Sequence, residues 1–140
     1  MIARLNNERG VTLLEILITA VVVAVALLSI YTGIIYADKQ VQRNYHDRVA
    51  TLHASGEIEW QMYYKKNFKV FDEYTSGRPV VIDKLKRGNL VGTMTMRVYD
   101  KYESPLGVQV SYKSLVVAVS WTEPGDKTTR RVVVIEDFYS

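Results

Sequence analysis

The strongest constraint on this chain is an apolar run of 22 residues, 16–37, that contains no Asp, Glu, Lys or Arg. As an α-helix with a rise of about 1.5 Å per residue, the run would be roughly 33 Å long. The hydrocarbon core of a bilayer is about 30 Å thick. The hydroxyl groups in the run can return their hydrogen bonds to the helix backbone. The run is therefore predicted to be a transmembrane helix.

The remaining residues, 38–140, have the composition of an ordinary soluble domain, with 16 basic and 13 acidic residues. The basic residues are mixed with the acidic ones, which favours solubility over a nucleic-acid partner. The chain has no cysteine, so disulfides, Cys-based zinc sites, Fe–S ligation and thiol nucleophiles are excluded. It also lacks a phosphate-binding glycine loop, a nucleophile elbow and HExxH. We expect no enzymatic activity, no cofactor and no metal.

Three interpretations compete for the N-terminal segment, and the first two are general. A secretory signal peptide would explain Arg4 and Arg9, with residues 24–26 (Ala-Val-Ala) as the cleavage site, but the apolar run continues well past that point. An uncleaved anchor would explain the run alone, with Gly10 as a turn residue and Glu15 as the last polar residue before the membrane. Basic residues on both sides of the run leave its orientation open.

The third interpretation takes residues 10–15, Gly-Val-Thr-Leu-Leu-Glu, as one unit. With a short basic leader before Gly10 and the long uncharged helix after Glu15, the segment resembles the N-terminus of the type IV pilin and type II secretion pseudopilin superfamily. Gly10 corresponds to the last leader residue, Val11 to the first mature residue and Glu15 to the fifth. One departure is Val11, where the family usually has Phe.

The resemblance implies a precise processing and assembly scheme. A prepilin peptidase would cut between Gly10 and Val11 and methylate the new N-terminal amine of Val11. Glu15 would act in subunit assembly by pairing with the amine of a neighbouring subunit. A carboxylate at membrane depth costs about 3 kcal/mol on insertion scales, so we expect such a residue to have a charged partner.

The resemblance also implies the organisation and location of the whole chain. Residues 1–10 would be the leader, 11–37 the transmembrane and polymerisation half of a helix, and 38–140 an extracytoplasmic pilin-like domain. The protein would be a single-pass subunit of the bacterial inner membrane, with other pilins and an inner-membrane assembly platform as partners. The mature length and the absence of a cysteine-closed C-terminal loop favour a minor pilin or minor pseudopilin. The alternative is a membrane-anchored extracytoplasmic binding protein that forms no filament.

The pattern after residue 37 predicts an α+β fold in which a long N-terminal helix packs on an antiparallel sheet of three to four strands. No proline interrupts residues 11–64, so one helix can continue to about Tyr64. Apolar residues recur along one predicted face of its second half, and we expect this face to contact the sheet. The members of this predicted face are Val41, Tyr45, Val49, Leu52, Ile58 and Met62.

The last part of the chain predicts strands, because apolar and polar residues alternate around Met94, Met96 and Val98. Residues 115–121 and 132–135 are rich in β-branched residues. Between the helix and these strands, residues 65–88 are predicted to be a loop with a short strand at 80–82. Trp121 is the core packing candidate and is expected to close the sheet against the helix near Leu52 and Ile58.

Two groups of polar residues contain side chains that can bind a metal ion. His46 and His53 could share a helix face, but no further ligands accompany them, and solvated histidines are the preferred interpretation. Asp72, Glu73 and Asp83 lack the alternating acidic pattern of a calcium loop and are interpreted as surface charge.

Overall fold

The computed structural model describes residues 13–86, 88–104, 107 and 109–139. One helix, α1 (Leu13–Phe68), precedes four strands, β1 (Tyr74–Leu85), β2 (Gly88–Glu103), β3 (Val110–Thr122) and β4 (Thr129–Tyr139). The strands form one antiparallel sheet in the order β1-β2-β3-β4, so each strand pairs with its neighbours in the sequence. The predicted α+β fold, with a long helix packed on an antiparallel sheet, is confirmed.

The chain divides into two compact units, one up to Val41 and one from Gln42 onward. The described part of the first unit is entirely helical, and all of its residues are exposed. The second unit contains the rest of α1 and all four strands. Only this second unit therefore has a hydrophobic core of its own.

The helix ends four residues later than predicted, at Phe68. Lys69 adopts the left-handed conformation, with φ of 65°, and its N–H donates to the carbonyl of Lys65 at 2.8 Å. This arrangement satisfies one of the carbonyls that a helix C-terminus leaves without a partner. Lys65 and Lys66 in the last turn also complement the negative end of the helix dipole.

The core lies between one face of the sheet and one side of α1. Met94 and Met96 on β2 pair across the sheet with Val119 and Val117 on β3, and all four side chains are buried. Trp121, two residues further along β3, is 2% exposed and belongs to the same cluster. From α1 the cluster receives Ala50, Ala54 and Ile58.

The prediction of which α1 residues face the sheet is largely wrong. Tyr45, Leu52 and Met62 are exposed, whereas Ile58 is buried and Val49 is packed at the edge of the core. The buried positions recur every three or four residues, and most are small or polar: His46, Ala50, Ala54, Ile58 and Gln61. The large core side chains of the sheet leave little room at this contact, so the helix approaches it through alanine rather than through its bulkiest apolar residues.

The predicted loop at residues 65–88 is also wrong, because half of it is β1, a strand of 12 residues that contains the predicted short strand at 80–82. The pairing with β2 shifts register between Tyr74 and Arg78. Gly77 lies in this irregular stretch with φ of 82°, a conformation that favours glycine. Pro79 lies in an edge strand, where its missing N–H need not break a ladder hydrogen bond. The residues that indicated a loop therefore form an irregular edge strand.

The two tryptophans of the chain provide a matched test of the core. Trp121→Ala removes a side chain that is 2% exposed and should lower the free energy of unfolding by about 3 to 5 kcal/mol. Trp60→Ala removes a side chain that is 50% exposed and should have a much smaller effect. Chemical denaturation of both variants in detergent measures the difference, and equal losses would contradict the position assigned to Trp121.

Candidate functional site

The first candidate site is the apolar half of α1. The helix is long and apolar enough to cross a membrane, and none of its most apolar stretch is buried within the chain. The large apolar side chains from Leu13 to Tyr36 are 39–84% exposed. Apolar surface transferred from water gains about 25 cal/mol for each Å². This segment therefore requires an apolar environment that the other described residues do not provide.

Most polar groups of this segment are satisfied within the helix. The hydroxyl groups of Thr19, Ser29 and Thr32 donate to backbone carbonyls three or four residues earlier, at 2.7–2.9 Å. Glu15 lies in the first turn, where a carboxylate interacts favourably with the helix dipole. It is the one carboxylate in residues 13–37. Gly10 and Val11, the predicted cleavage and methylation site, lie outside the described residues.

One side of the apolar half has a shallow groove lined by small and branched residues. The lining residues recur every three or four positions, so they occupy one face of the helix: Ile16, Thr19, Ala20, Val23, Ala24 and Leu27. Small residues at such spacing let a second helix approach closely in an apolar environment. The groove is therefore a suitable contact for another helix.

The second candidate site is an outward stripe on the domain half of α1, formed by Tyr45, Leu52, Trp60 and Tyr63. Their exposed fractions are 51%, 71%, 50% and 58%. At 100° per residue, Tyr45, Leu52 and Tyr63 lie opposite the buried face that contains Ala50 and Ala54. Trp60 and Tyr63 contact each other, with ring centroids 5.7 Å apart. This half of α1 is thus apolar on two sides, and the sheet covers only one.

A buried polar cluster forms the third candidate site, and its centre is His46. The ring is 4% exposed, and Nδ1 lies 2.8 and 3.0 Å from the two carboxylate oxygens of Glu123. On the other side, Nε2 lies 3.2 Å from Oδ2 of Asp83. Ionised carboxylates only accept hydrogen bonds, and a neutral imidazole has a single N–H. Each ring nitrogen therefore lies within hydrogen-bonding distance of a carboxylate, and at least one of the two contacts is a hydrogen bond whichever nitrogen carries the proton.

The same cluster joins three parts of the domain. Glu123 follows β3 and also accepts a hydrogen bond from the indole N–H of Trp121 at 2.9 Å. Asp83 belongs to β1, and His46 belongs to α1. Nearby, Arg43 pairs with Asp126 at 3.2 Å. A further ion pair joins Arg130 on β4 to Asp47 on α1 at 2.6 Å. Ion pairs and hydrogen bonds to carboxylates therefore connect one end of the sheet to the helix.

This cluster corrects two sequence predictions. His46 is not a solvated helix residue, and Asp83 is not simply a surface charge, because the two are hydrogen-bonded. His53, in contrast, is exposed, and its Nε2 lies 3.1 Å from the carbonyl oxygen of Val81. Within the described part of the chain, no three or more His, Asp or Glu residues are placed to hold a metal ion. No local motif indicates the cluster, because its members are separated by 37 and 77 positions.

The turn after β3 allows a buried and an exposed carboxylate to be compared. Glu123→Gln keeps the shape of a side chain that is 8% exposed but removes its charge from the buried His46. We expect a loss of about 3 kcal/mol in the free energy of unfolding. Asp126→Asn alters a partly exposed ion pair and should cost less than about 1 kcal/mol. Denaturant titration measures both, and a smaller effect for Glu123→Gln than for Asp126→Asn would contradict the role assigned to the buried carboxylate of Glu123.

Comparison with known proteins identifies the N-terminal segment. Residues 5–31 match the family model described as the prokaryotic N-terminal methylation motif. The match includes Gly10, Val11 and Glu15 and extends through much of the apolar half of α1. No curated protein and no solved structure matches the chain. With its long helix on an antiparallel sheet, the chain carries the N-terminal signature of the type IV pilins and pseudopilins.

Proposed function

We propose that this chain is a structural subunit of a type IV pilus or a type II secretion pseudopilus. It is inserted in the bacterial inner membrane, cleaved after Gly10 by a prepilin peptidase, and assembled with other subunits through α1. The observation that carries this proposal is the methylation motif joined to an apolar helix that is exposed throughout its first half. A soluble domain gains nothing from such a helix.

Polymerisation provides the environment that the apolar half requires. In the membrane, lipid surrounds this segment, and in a filament the corresponding segments of other subunits replace the lipid. Apolar contact is conserved in this exchange, so assembly need not expose the helix to water. The groove lined by Ala20 and Ala24 provides a face on which a neighbouring helix can pack closely.

Glu15 gives this association its electrostatic component. Removal of the leader creates a positively charged amine at Val11, and methylation of that amine keeps its charge. An ion pair between Glu15 and the amine of a neighbouring subunit offsets the cost of a carboxylate in an apolar environment, about 3 kcal/mol at membrane depth. Because this pair forms between subunits, it favours assembly without stabilising the individual domain.

The outward stripe extends the assembly surface into the domain. Tyr45, Leu52 and Tyr63 project from α1 on the side away from the sheet, and exposed aromatic and aliphatic side chains of this size favour protein contacts. The helices of neighbouring subunits contact this surface, because the outward stripe belongs to the same helix as the apolar half. The domain lies on the extracytoplasmic side, and an inner-membrane platform adds subunits to the filament.

Within this function, the chain is a minor subunit. It has no cysteine and so cannot close a C-terminal loop by a disulfide. A membrane-anchored binding protein that forms no filament is the other candidate. Leader processing at Gly10 and subunit assembly through Glu15 distinguish the two functions.

Processing at Gly10 is the first test. A small residue lets a peptidase approach the backbone, so Gly10→Val should block cleavage. The matched control is Gly33→Ala, because a Cβ at Gly33 meets no atom within 4 Å and should leave processing unchanged. Intact mass of protein from a native-type host should show loss of residues 1–10 in the wild type and the control. A mature chain that begins after Ala26 would contradict the proposal.

Assembly through Glu15 is the second test. Glu15→Ala should leave insertion, leader removal and domain stability unchanged while lowering the incorporation of subunits into filaments. Glu15→Asp should be intermediate, because it keeps the charge but shortens its reach. Glu136→Ala, which removes an exposed carboxylate on β4, is the control and should assemble normally. Crosslinking between subunits in membranes measures the effect, and equal crosslinking in all variants would refute the role of Glu15.

A further inference from the structure

The face of the sheet turned away from α1 has its own arrangement of side chains. Met94 and Met96 on β2 point into the core with Val117 and Val119 on β3. Successive side chains of a strand point to opposite faces, so the residues between these positions face outward. On β2 they include Thr95 and Arg97, on β3 Val116 and Ala118, and on β4 Arg131 and Val133.

A pocket of about 190 Å³ lies on this outer face. Ala118 is 4% exposed and Val116 is partly buried, so together they form a floor beneath longer side chains. The other lining residues are polar or charged: Thr95, Arg97, Tyr99 and Arg131. Two guanidinium groups and two hydroxyl groups thus surround one small apolar floor.

Charge on this face is not balanced near the pocket. Three other arginines, Arg43, Arg78 and Arg130, form ion pairs with carboxylates. The guanidinium groups of Arg97 and Arg131 form no ion pair or hydrogen bond with any residue that the structure describes. Both side chains are exposed, so the solvent can supply an anion to them.

Two carboxylates on the same face, Glu103 and Asp137, have partners other than the pocket arginines, and Asp137 lies in the same cross-strand row as Tyr99. Glu103 accepts a hydrogen bond from the hydroxyl of Tyr112 at 2.7 Å, which raises the pKa of Tyr112 to about 12. Asp137 lies 3.9 Å from the ammonium group of Lys101. The two free cations at the pocket are therefore separate from these pairs.

We propose that this pocket binds a phosphate group, carried by a monoester or as free inorganic phosphate. A phosphate monoester has a charge of about −1.5 to −2 at neutral pH and three acceptor oxygens. Two guanidinium groups match this charge, whereas a single carboxylate would balance only one of them. Guanidinium groups also bind phosphate through two parallel hydrogen bonds. The hydroxyl groups of Thr95 and Tyr99 provide further donors at the rim.

The site lies on the side of the sheet that α1 does not cover. Contacts made through the outward stripe of α1 occur on the opposite side of the domain and leave this face open. The phosphate site depends only on the sheet, so it is present whether or not the chain assembles. Its test and the tests of assembly can therefore succeed or fail independently.

Calorimetric titration of the full chain in detergent provides the test. Inorganic phosphate and glycerol 3-phosphate should both bind at low ionic strength, and the tighter of the two identifies the source of the group. Arg97→Gln and Arg131→Gln should each weaken binding at least about tenfold, as expected for lost hydrogen bonds to a charged group. Arg48→Gln, at an exposed arginine on α1, is the matched control and should bind like the wild type.

Three results would overturn the proposal. The first is no heat of binding with either phosphate compound at millimolar concentration. The second is equal binding by the wild type and the Arg97→Gln/Arg131→Gln double variant, whose melting temperature should match that of the wild type. The third is tighter binding of acetate or of a short single-stranded oligonucleotide, which would indicate a site for one negative charge or for a phosphodiester chain.

Discussion

The close contact between α1 and the sheet is the constraint on which the other features of the domain depend. Ala50 and Ala54 of the helix belong to the same core cluster as the large sheet side chains Met96 and Leu115. Because the sheet fills much of the available volume, the helix contributes two alanines to this contact, besides Ile58. Its bulky residues, Tyr45 and Leu52, are consequently displaced to the opposite side. One packing requirement thus produces both a stable domain and an apolar surface for neighbours.

The polar cluster around His46 complements this apolar contact. Two alanines separated by four residues would pack similarly if the helix moved along the sheet by one turn. The His46 ring held between Glu123 and Asp83 has no equivalent position one turn away, since a shifted helix would leave both carboxylates without this hydrogen-bonding partner. Buried ion pairs contribute little net stability compared with apolar residues of the same size. The cluster instead selects one register of α1 on the sheet.

Sequence patterns were sufficient for the elements that follow simple rules. The proline-free segment predicted α1, and the alternation around Met94 and Met96 predicted β2. Only residues 80–82 of β1 were predicted as a strand, because Gly77 and Pro79 indicate a loop unless the partner strand is known. The buried face of α1 was missed because apolar periodicity gives weight to Leu52 and not to Ala54. The cluster of His46 and Glu123 joins residues 77 positions apart, and only the folded sheet brings them together.

The irregular edge strand β1 affects whether the sheets of neighbouring subunits can pair with one another. In the filament that we propose, the sheets of neighbouring subunits are held side by side at high local concentration, a condition that promotes edge-to-edge joining of strands. A sheet that continues from subunit to subunit requires hydrogen bonds between the edge strand β4 of one subunit and the edge strand β1 of the next. The kink at Gly77 and the missing N–H of Pro79 make β1 a poor template. The domain is thereby protected against amyloid-like stacking, and polymerisation is left to the helices.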